Sequence, residues 1–223
     1  MTTPPAVTLD AAHFDSKARQ WDDNPVFVER GFAIAQAVRD AVPLNRNMRV
    51  LDYGCGTGLL SFPLKDAVGD MLLADTSSGM LAVAAEKIAA HGAAQMQTAK
   101  LDLLTDPLPA GSFDLIVTAM TLHHIPDTDR ILRVFHDLLK PGGTLCIADL
   151  DHEDGSFHGI EVDVHHGFER DALAGRAARA GFADAAFRTV FTISKTHATG
   201  ARDYPVFLMT ARRDAATQAP GSN

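Results

Sequence analysis

The sequence is short of cysteine and of positive charge, and each shortage excludes something. Its two cysteines, Cys55 and Cys146, lie far apart and make neither a disulfide framework nor a metal-ligand spacing. They read as reduced thiols, so the expected location is cytoplasmic. Lys and Arg number 20 against 28 Asp and Glu, a net charge of −8. The basic stripe of a nucleic-acid binder is missing, which favours a small-molecule substrate over RNA or DNA. No run approaches the ~20 apolar residues of a membrane-spanning helix. The opening MTTPPAVTLD has neither a basic n-region nor an apolar h-region, so neither a secretory leader nor a membrane partner is expected. Oligomeric state leaves no mark on the sequence.

What is present is an alternation of apolar runs and helical periodicity. A chain of 223 residues suits one α/β domain with a small extension, and should bury about 70% of its extended surface. Residues 1–10 read as a loose tail, because Pro4 and Pro5 block regular structure. Residues 11–42 predict two helices divided at Asn24-Pro25. Phe14, Ala18 and Trp21 recur at helical spacing in the first, and Phe27, Ile34 and Val38 in the second. Strands are predicted at 49–54, 71–75, 94–102, 113–120 and 144–150. Helices are predicted at 58–68, 78–90 and 127–139, the last stopped by Lys140-Pro141-Gly142-Gly143. Strands apolar on both faces, alternating with helices, specify a parallel sheet covered on both sides. A helix at 168–180 then leads to two strands, 185–196 and 204–213, joined by a polar loop. The expected fold class is therefore α/β: a doubly wound, mostly parallel seven-stranded sheet with helices on both faces and an antiparallel C-terminal strand pair. The expected domains are an N-terminal helical cap over 1–47, a ligand-binding domain over 48–213 and a disordered tail over 214–223.

The stretch LDYGCGTG, residues 51–58, places Gly54, Gly56 and Gly58 directly behind a strand and ahead of a helix. That is the anion-cradling arrangement of doubly wound folds, in which backbone N–H groups face a ligand that missing Cβ atoms allow to approach. The dinucleotide fingerprint G-x-G-x-x-G/A fails at Leu59, and so does the phosphate loop G-x-x-x-x-G-K-[ST].

With Asp52 at its head the stretch reads D-x-G-x-G-x-G. Here the chain resembles the class I S-adenosylmethionine-dependent methyltransferases, of the small-molecule, UbiE-like kind, over residues 48–150. FDLIVTAMTLHHI resembles the fourth-strand motif of that family and LKPGGTLCIADL the fifth. The resemblance implies a Rossmann-like fold, S-adenosyl-L-methionine as cofactor, and a cofactor site spread over several strand ends. Asp75, closing the second strand, would hold both ribose hydroxyls. NAD-binding folds also place an acid there, so it marks a ribose without naming the cofactor. Asp102 would meet the adenine amino group. Met80 would pack near the adenine, or simply in the core. The implied set also takes in Cys55, Thr76, Leu103 and Thr118. Asp52 either orients the glycine loop or meets the donor ammonium through water.

Methyl transfer is an in-line displacement at a sulfonium carbon whose charge fades in the transition state, so alignment and desolvation carry it. A base is needed only where the nucleophile bears a proton. His123 and His124 follow the fourth strand at the mouth of the expected crevice, where either is catalytic or structural. The segment DHEDGSFHGIEVDVHH, 151–166, carries five carboxylates and four histidines without a Lys or Arg. It reads as a solvated loop, as a substrate-contacting lid, or as a metal site. Its separations match no tight motif, so no metal is assigned. Asp151, His152 and Asp154 are the first choices for a functional role, His152 joining His123 and His124 as candidate bases. Phe14 and Trp21 either cap the pocket or only pack their helix. The expected function is methyl transfer to a small molecule. A tRNA or protein methyltransferase, or a non-catalytic partner subunit that keeps the fold, stands as the alternative.

Overall fold

The computed structural model describes residues 9–159, 161–198 and 200–215. The tail expected at the N-terminus falls almost wholly, and that expected at the C-terminus from residue 216 onward, outside the described residues. Seven strands form one sheet: β1 Val50–Tyr53, β2 Met71–Asp75, β3 Met96–Lys100, β4 Phe113–Ala119, β5 Leu139–Leu150, β6 Phe182–His197 and β7 Gly200–Arg213. Their order is β3-β2-β1-β4-β5-β7-β6. The first five strands run parallel, and β7 lies antiparallel between β5 and β6.

The helices are α1 Ala11–Lys17, α2 Pro25–Ala41, α3 Ser61–Leu64, α4 Ser78–Ala90, α5 Thr128–Leu138 and α6 Arg170–Arg179. The break before α2 falls where Asn24-Pro25 predicts it: the Asn24 side chain accepts from the Val26 N–H and Pro25 occupies the first turn. A 3-10 turn over Ala18–Asp23 prolongs α1.

Helix burial follows strand alternation. On one face, Ile34 and Val38 of α2 and Leu81 and Ala84 of α4 pack with Val50, Leu73, Leu115, Val117 and Cys146. On the other, Ile131, Leu132, Phe135 and Leu138 of α5 and Leu173 and Ala177 of α6 pack with Leu51, Ile116, Leu145, Ile147 and Phe207. Each core strand contributes side chains to both layers, which is why the strands read as continuous apolar runs.

Two expectations need correction. The helix expected over 58–68 is only the four residues of α3, and turns fill the rest. Gly54, Gly56 and Gly58 all have positive φ, which ends regular structure ahead of α3, and Pro63 offers no N–H to extend it. Lys140-Pro141-Gly142-Gly143 does stop α5, but it lies within β5. Leu139 pairs with Phe113 and Thr144 with Leu115, so the four residues bulge between two points of one strand. The C-terminal strands are longer than predicted, leaving a very short connection between His197 and Gly200.

The order reverses between β1 and β4. Crevices form at such a point, outside the carboxyl ends of the strands, and the cavity described next opens there.

Candidate functional site

A cavity of about 300 Å³ lies over the carboxyl ends of β1, β2 and β4, at the lower edge of the range for small-molecule sites. Its floor is the glycine turn with Asp52, Asp75, Met80 and Asp102, and the N-terminal segment roofs it through Phe14, Trp21, Phe27 and Arg30.

The glycines of the turn serve different needs. At Gly54 (φ +69°) a Cβ would stand 2.3 Å from the Thr121 side chain, whose hydroxyl donates to the Gly54 carbonyl at 3.2 Å. At Gly56 (φ +53°) a Cβ would meet only the Met80 sulfur, 4.0 Å away. The missing side chain at Gly56 therefore leaves open cavity, a cradle that any larger residue would begin to fill.

Asp75 organises the floor. One of its oxygens accepts from the Gly56 N–H and the other from the Ser77 N–H, both at 2.8 Å. Burial raises its pKa, with these backbone bonds opposing. Each oxygen retains a lone-pair direction for a ligand O–H. Asp52 is buried, accepts from the Ser61 hydroxyl at 2.6 Å, and is pushed up to about 7 by desolvation. Asp102 accepts from the Leu104 N–H at 2.9 Å and lines the cavity at the far end of the floor.

Of the implied cofactor set, the structure brings Asp52, Gly54, Cys55, Gly56, Asp75, Thr76, Met80 and Asp102 to the cavity wall. Gly58, Leu103 and Thr118 are not among the lining residues. Leu103 is buried, and its N–H donates to the Tyr53 hydroxyl at 3.3 Å. Thr118 is buried within β4.

The roof is fastened by ion pairs and hydrogen bonds. Asp15 of α1 accepts from the Ser77 hydroxyl at 2.6 Å and from the Gly79 N–H at 2.7 Å. Asp22 accepts from the Thr57 hydroxyl and from Lys87 at 2.7 Å, and Arg19 pairs with Glu86. The backbones approach closely because Gly79 and Gly31 lack Cβ atoms, which would clash with Asp15 and with the Leu59 carbonyl.

Among the described residues, Arg30 is the single Lys or Arg that lines the cavity. Its guanidinium lies 5.0 Å from the Phe27 ring centroid, and burial pulls it down to about 10. Among the described residues no side chain makes an ion pair with it.

The candidate bases separate. His124 lines the cavity with its ring edge-on to Phe14 at 5.4 Å, and desolvation beside His123 and His158 pulls it down to about 3. Its Nδ1 is buried with no hydrogen-bond partner among the described residues. His123 is buried one layer behind, its Nδ1 bonded to Asp149 at 2.6 Å and its backbone N–H donating to the same carboxylate. Burial opposes ionisation of Asp149, but His123 and the Leu150 N–H outweigh it and hold the carboxyl below its ordinary value. His152 is exposed and does not line the cavity. Asp151 pairs with Arg170, and Asp154 pairs with Arg202. The chain after β5 turns these three away and brings His158 back instead, with its Nε2 3.1 Å from that of His123.

Arg30, Asp149 and His158 are the residues that sequence reasoning passed over. His158 belonged to a flagged segment and Asp149 to a matched strand. Arg30 gave no local signal, being one arginine on an amphipathic helix.

A family model described as a methyltransferase domain matches residues 50–143. A ubiquinone/menaquinone biosynthesis C-methyltransferase of Teredinibacter turnerae is 35% identical over 121 residues, 52% of this chain and 49% of that protein. A demethylmenaquinone methyltransferase of Geobacillus kaustophilus is 28% identical over 141 residues, 61% of this chain and 58% of that protein. The chain thus spans about half the length of the curated relatives it matches. Among solved structures, phosphoethanolamine N-methyltransferase 2 of Haemonchus contortus in complex with S-adenosyl-L-methionine aligns with a TM-score of 0.71 at 18% identity, covering 92% of this chain and 57% of that one.

Proposed function

We propose that this chain is a class I S-adenosylmethionine-dependent methyltransferase, a reading supported by the methyltransferase-domain match over residues 50–143, and that it methylates a small conjugated acceptor carrying an acidic oxygen. The observation that carries the reading is Arg30, the lone cation among the described residues of a wall otherwise made acidic by Asp52, Asp75 and Asp102 and aromatic by Phe14, Trp21 and Phe27. S-adenosylmethionine, when bound, supplies an electrophilic methyl on a sulfonium.

The residues divide the labour. Asp75 offers its two free lone-pair directions to a ribose diol, Asp102 faces the base, and the open space at Gly56 admits the donor backbone. The acidic floor suits a cationic donor, and Arg30 suits an anionic acceptor held flat against aromatic rings. The roof covers part of the cavity, and transfer from a cation to an anion neutralises both charges, so reduced contact with water would favour the reaction. His124 lines the same cavity, where its ring can hydrogen-bond the acceptor. The names of the quinone-pathway relatives support an aromatic acceptor.

Incubation with radiolabelled methyl donor and separate pools of phenols, quinols, carboxylic acids, amines, tRNA and protein tests this. Label in a phenol or quinol pool, with Arg30→Ala raising the acceptor KM about tenfold or more and leaving donor affinity intact, is expected. Label confined to tRNA or protein overturns the small-molecule reading.

A further inference from the structure

The imidazoles of His123, His124 and His158 converge although they come from two separate segments of the chain. Each offers one ring nitrogen, and the three nitrogens lie within 4.8 Å of one another. The Nε2 atoms of His123 and His158 are 3.1 Å apart, close to the ~3.3 Å edge of a tetrahedron with metal–nitrogen bonds of about 2.05 Å. Three further features fit a metal centre rather than packing alone. Asp149 binds the Nδ1 of His123 at 2.6 Å and turns its Nε2 toward His158, with which it shares a hydrogen bond that a metal would replace; such a carboxylate behind a ligating histidine fixes its tautomer and orientation. His124 Nδ1 is buried and unpartnered among the described residues, a cost that a ligand or ion would remove. His158 is set in place by neighbours that do not themselves ligate: Glu153 accepts from the Phe157 N–H at 3.0 Å, and Lys195 donates to the Phe157 carbonyl at 2.6 Å.

We propose that His123, His124 and His158 form a binding site for one divalent first-row transition metal, with Asp149 as its supporting carboxylate and a fourth position open toward the cavity. Three imidazoles suit Zn(II), Co(II), Ni(II) or Cu(II) and not the oxygen-seeking Mg(II) or Ca(II). Three protein ligands with an open position is the pattern of reactive rather than structural sites. Because His124 also lines the cavity, the open position faces the space assigned above to the acceptor oxygen. That use rests on the methyl-transfer reading, whereas the metal site itself does not.

The test uses the tag-free full chain, stripped with a chelator and titrated with Zn(II), then Co(II), then Mg(II). One Zn(II) per chain, tetrahedral Co(II) absorption bands and no Mg(II) uptake are expected. His158→Ala should lose Zn(II) affinity at least tenfold, and Asp149→Asn about 10–100-fold. The exposed His152→Ala should bind as the wild type does. Absence of stoichiometric Zn(II), or equal affinity in wild type and folded His158→Ala, overturns the site. Calorimetry with S-adenosylhomocysteine on the same samples reads the donor site separately, so loss of metal binding and failure of the methyltransferase reading give different results.

Discussion

Replacing Asp75 with alanine should weaken donor binding for a reason that can be isolated. Its two oxygens already accept the Gly56 and Ser77 N–H groups, each at 2.8 Å. A vicinal diol would add two charge-assisted bonds on the remaining lone pairs, and such bonds to a charged group contribute about 1.5–3 kcal/mol each in favourable cases. Burial raises the Asp75 pKa against the backbone N–H groups that oppose it, so further donors from a diol would favour its charged form. Taking the lower end for each bond, Asp75→Ala should reduce affinity by about 3 kcal/mol, roughly 150-fold. The variant also frees the Gly56 and Ser77 N–H groups, which loosens the turn regardless of the ligand. A cycle separates the two effects: wild type and variant are each titrated calorimetrically with S-adenosylhomocysteine and with its 2′,3′-dideoxy analogue. The analogue should bind both proteins within a few-fold of each other. If the variant weakens both ligands equally, Asp75 acts only through the turn and the diol assignment is refuted.

Other outcomes follow from the same geometry. Gly54→Ala sets a Cβ 2.3 Å from Thr121 and should destabilise the fold severely, whereas Gly56→Ala, with open space around it, should incur only the left-handed backbone cost of about 1–2 kcal/mol, fold, and lose donor affinity; a comparison of melting temperature with dissociation constant checks this, and equal behaviour of the two variants contradicts it. Asp52, raised to about 7 by burial against an unfolded value near 3.9, binds its proton more tightly when folded, so its contribution to stability is present below about pH 4 and is lost as pH rises toward 7. Thermal midpoints across pH 5–8 should fall less for Asp52→Asn than for the wild type, and parallel curves argue against the shifted carboxyl. Asp22→Ala removes the tie from the roof to Thr57 and Lys87 and should speed amide exchange in residues 11–23 severalfold, an opening of about 1 kcal/mol; unchanged exchange means the roof is held by other contacts. Phe135→Ala, from a fully buried ring edge-on to Tyr53, should cost about 3–5 kcal/mol of stability in denaturant titration.

The sequence by itself determined the layered α/β architecture, because strands buried on both faces must be apolar throughout and their helices must repeat at 3.6 residues. It also located Asp52, Asp75 and Asp102, each at a strand end where an open parallel sheet gathers its ligand groups. Gly54, Gly56 and Gly58 were visible as a turn, but only tertiary contacts separate Gly54, crowded by Thr121, from Gly56, which opens onto the cavity. The short α3 and the bulge over 140–143 depend on local φ values and on pairing with β4, which composition does not encode. Above all, the histidine cluster and the Arg30 wall are products of chain return. His158 meets His123 across 35 residues, and Arg30 reaches the cavity because α2 packs closely over Leu59. Periodicity reports which face of an element is buried; it carries no information on which distant side chains arrive there.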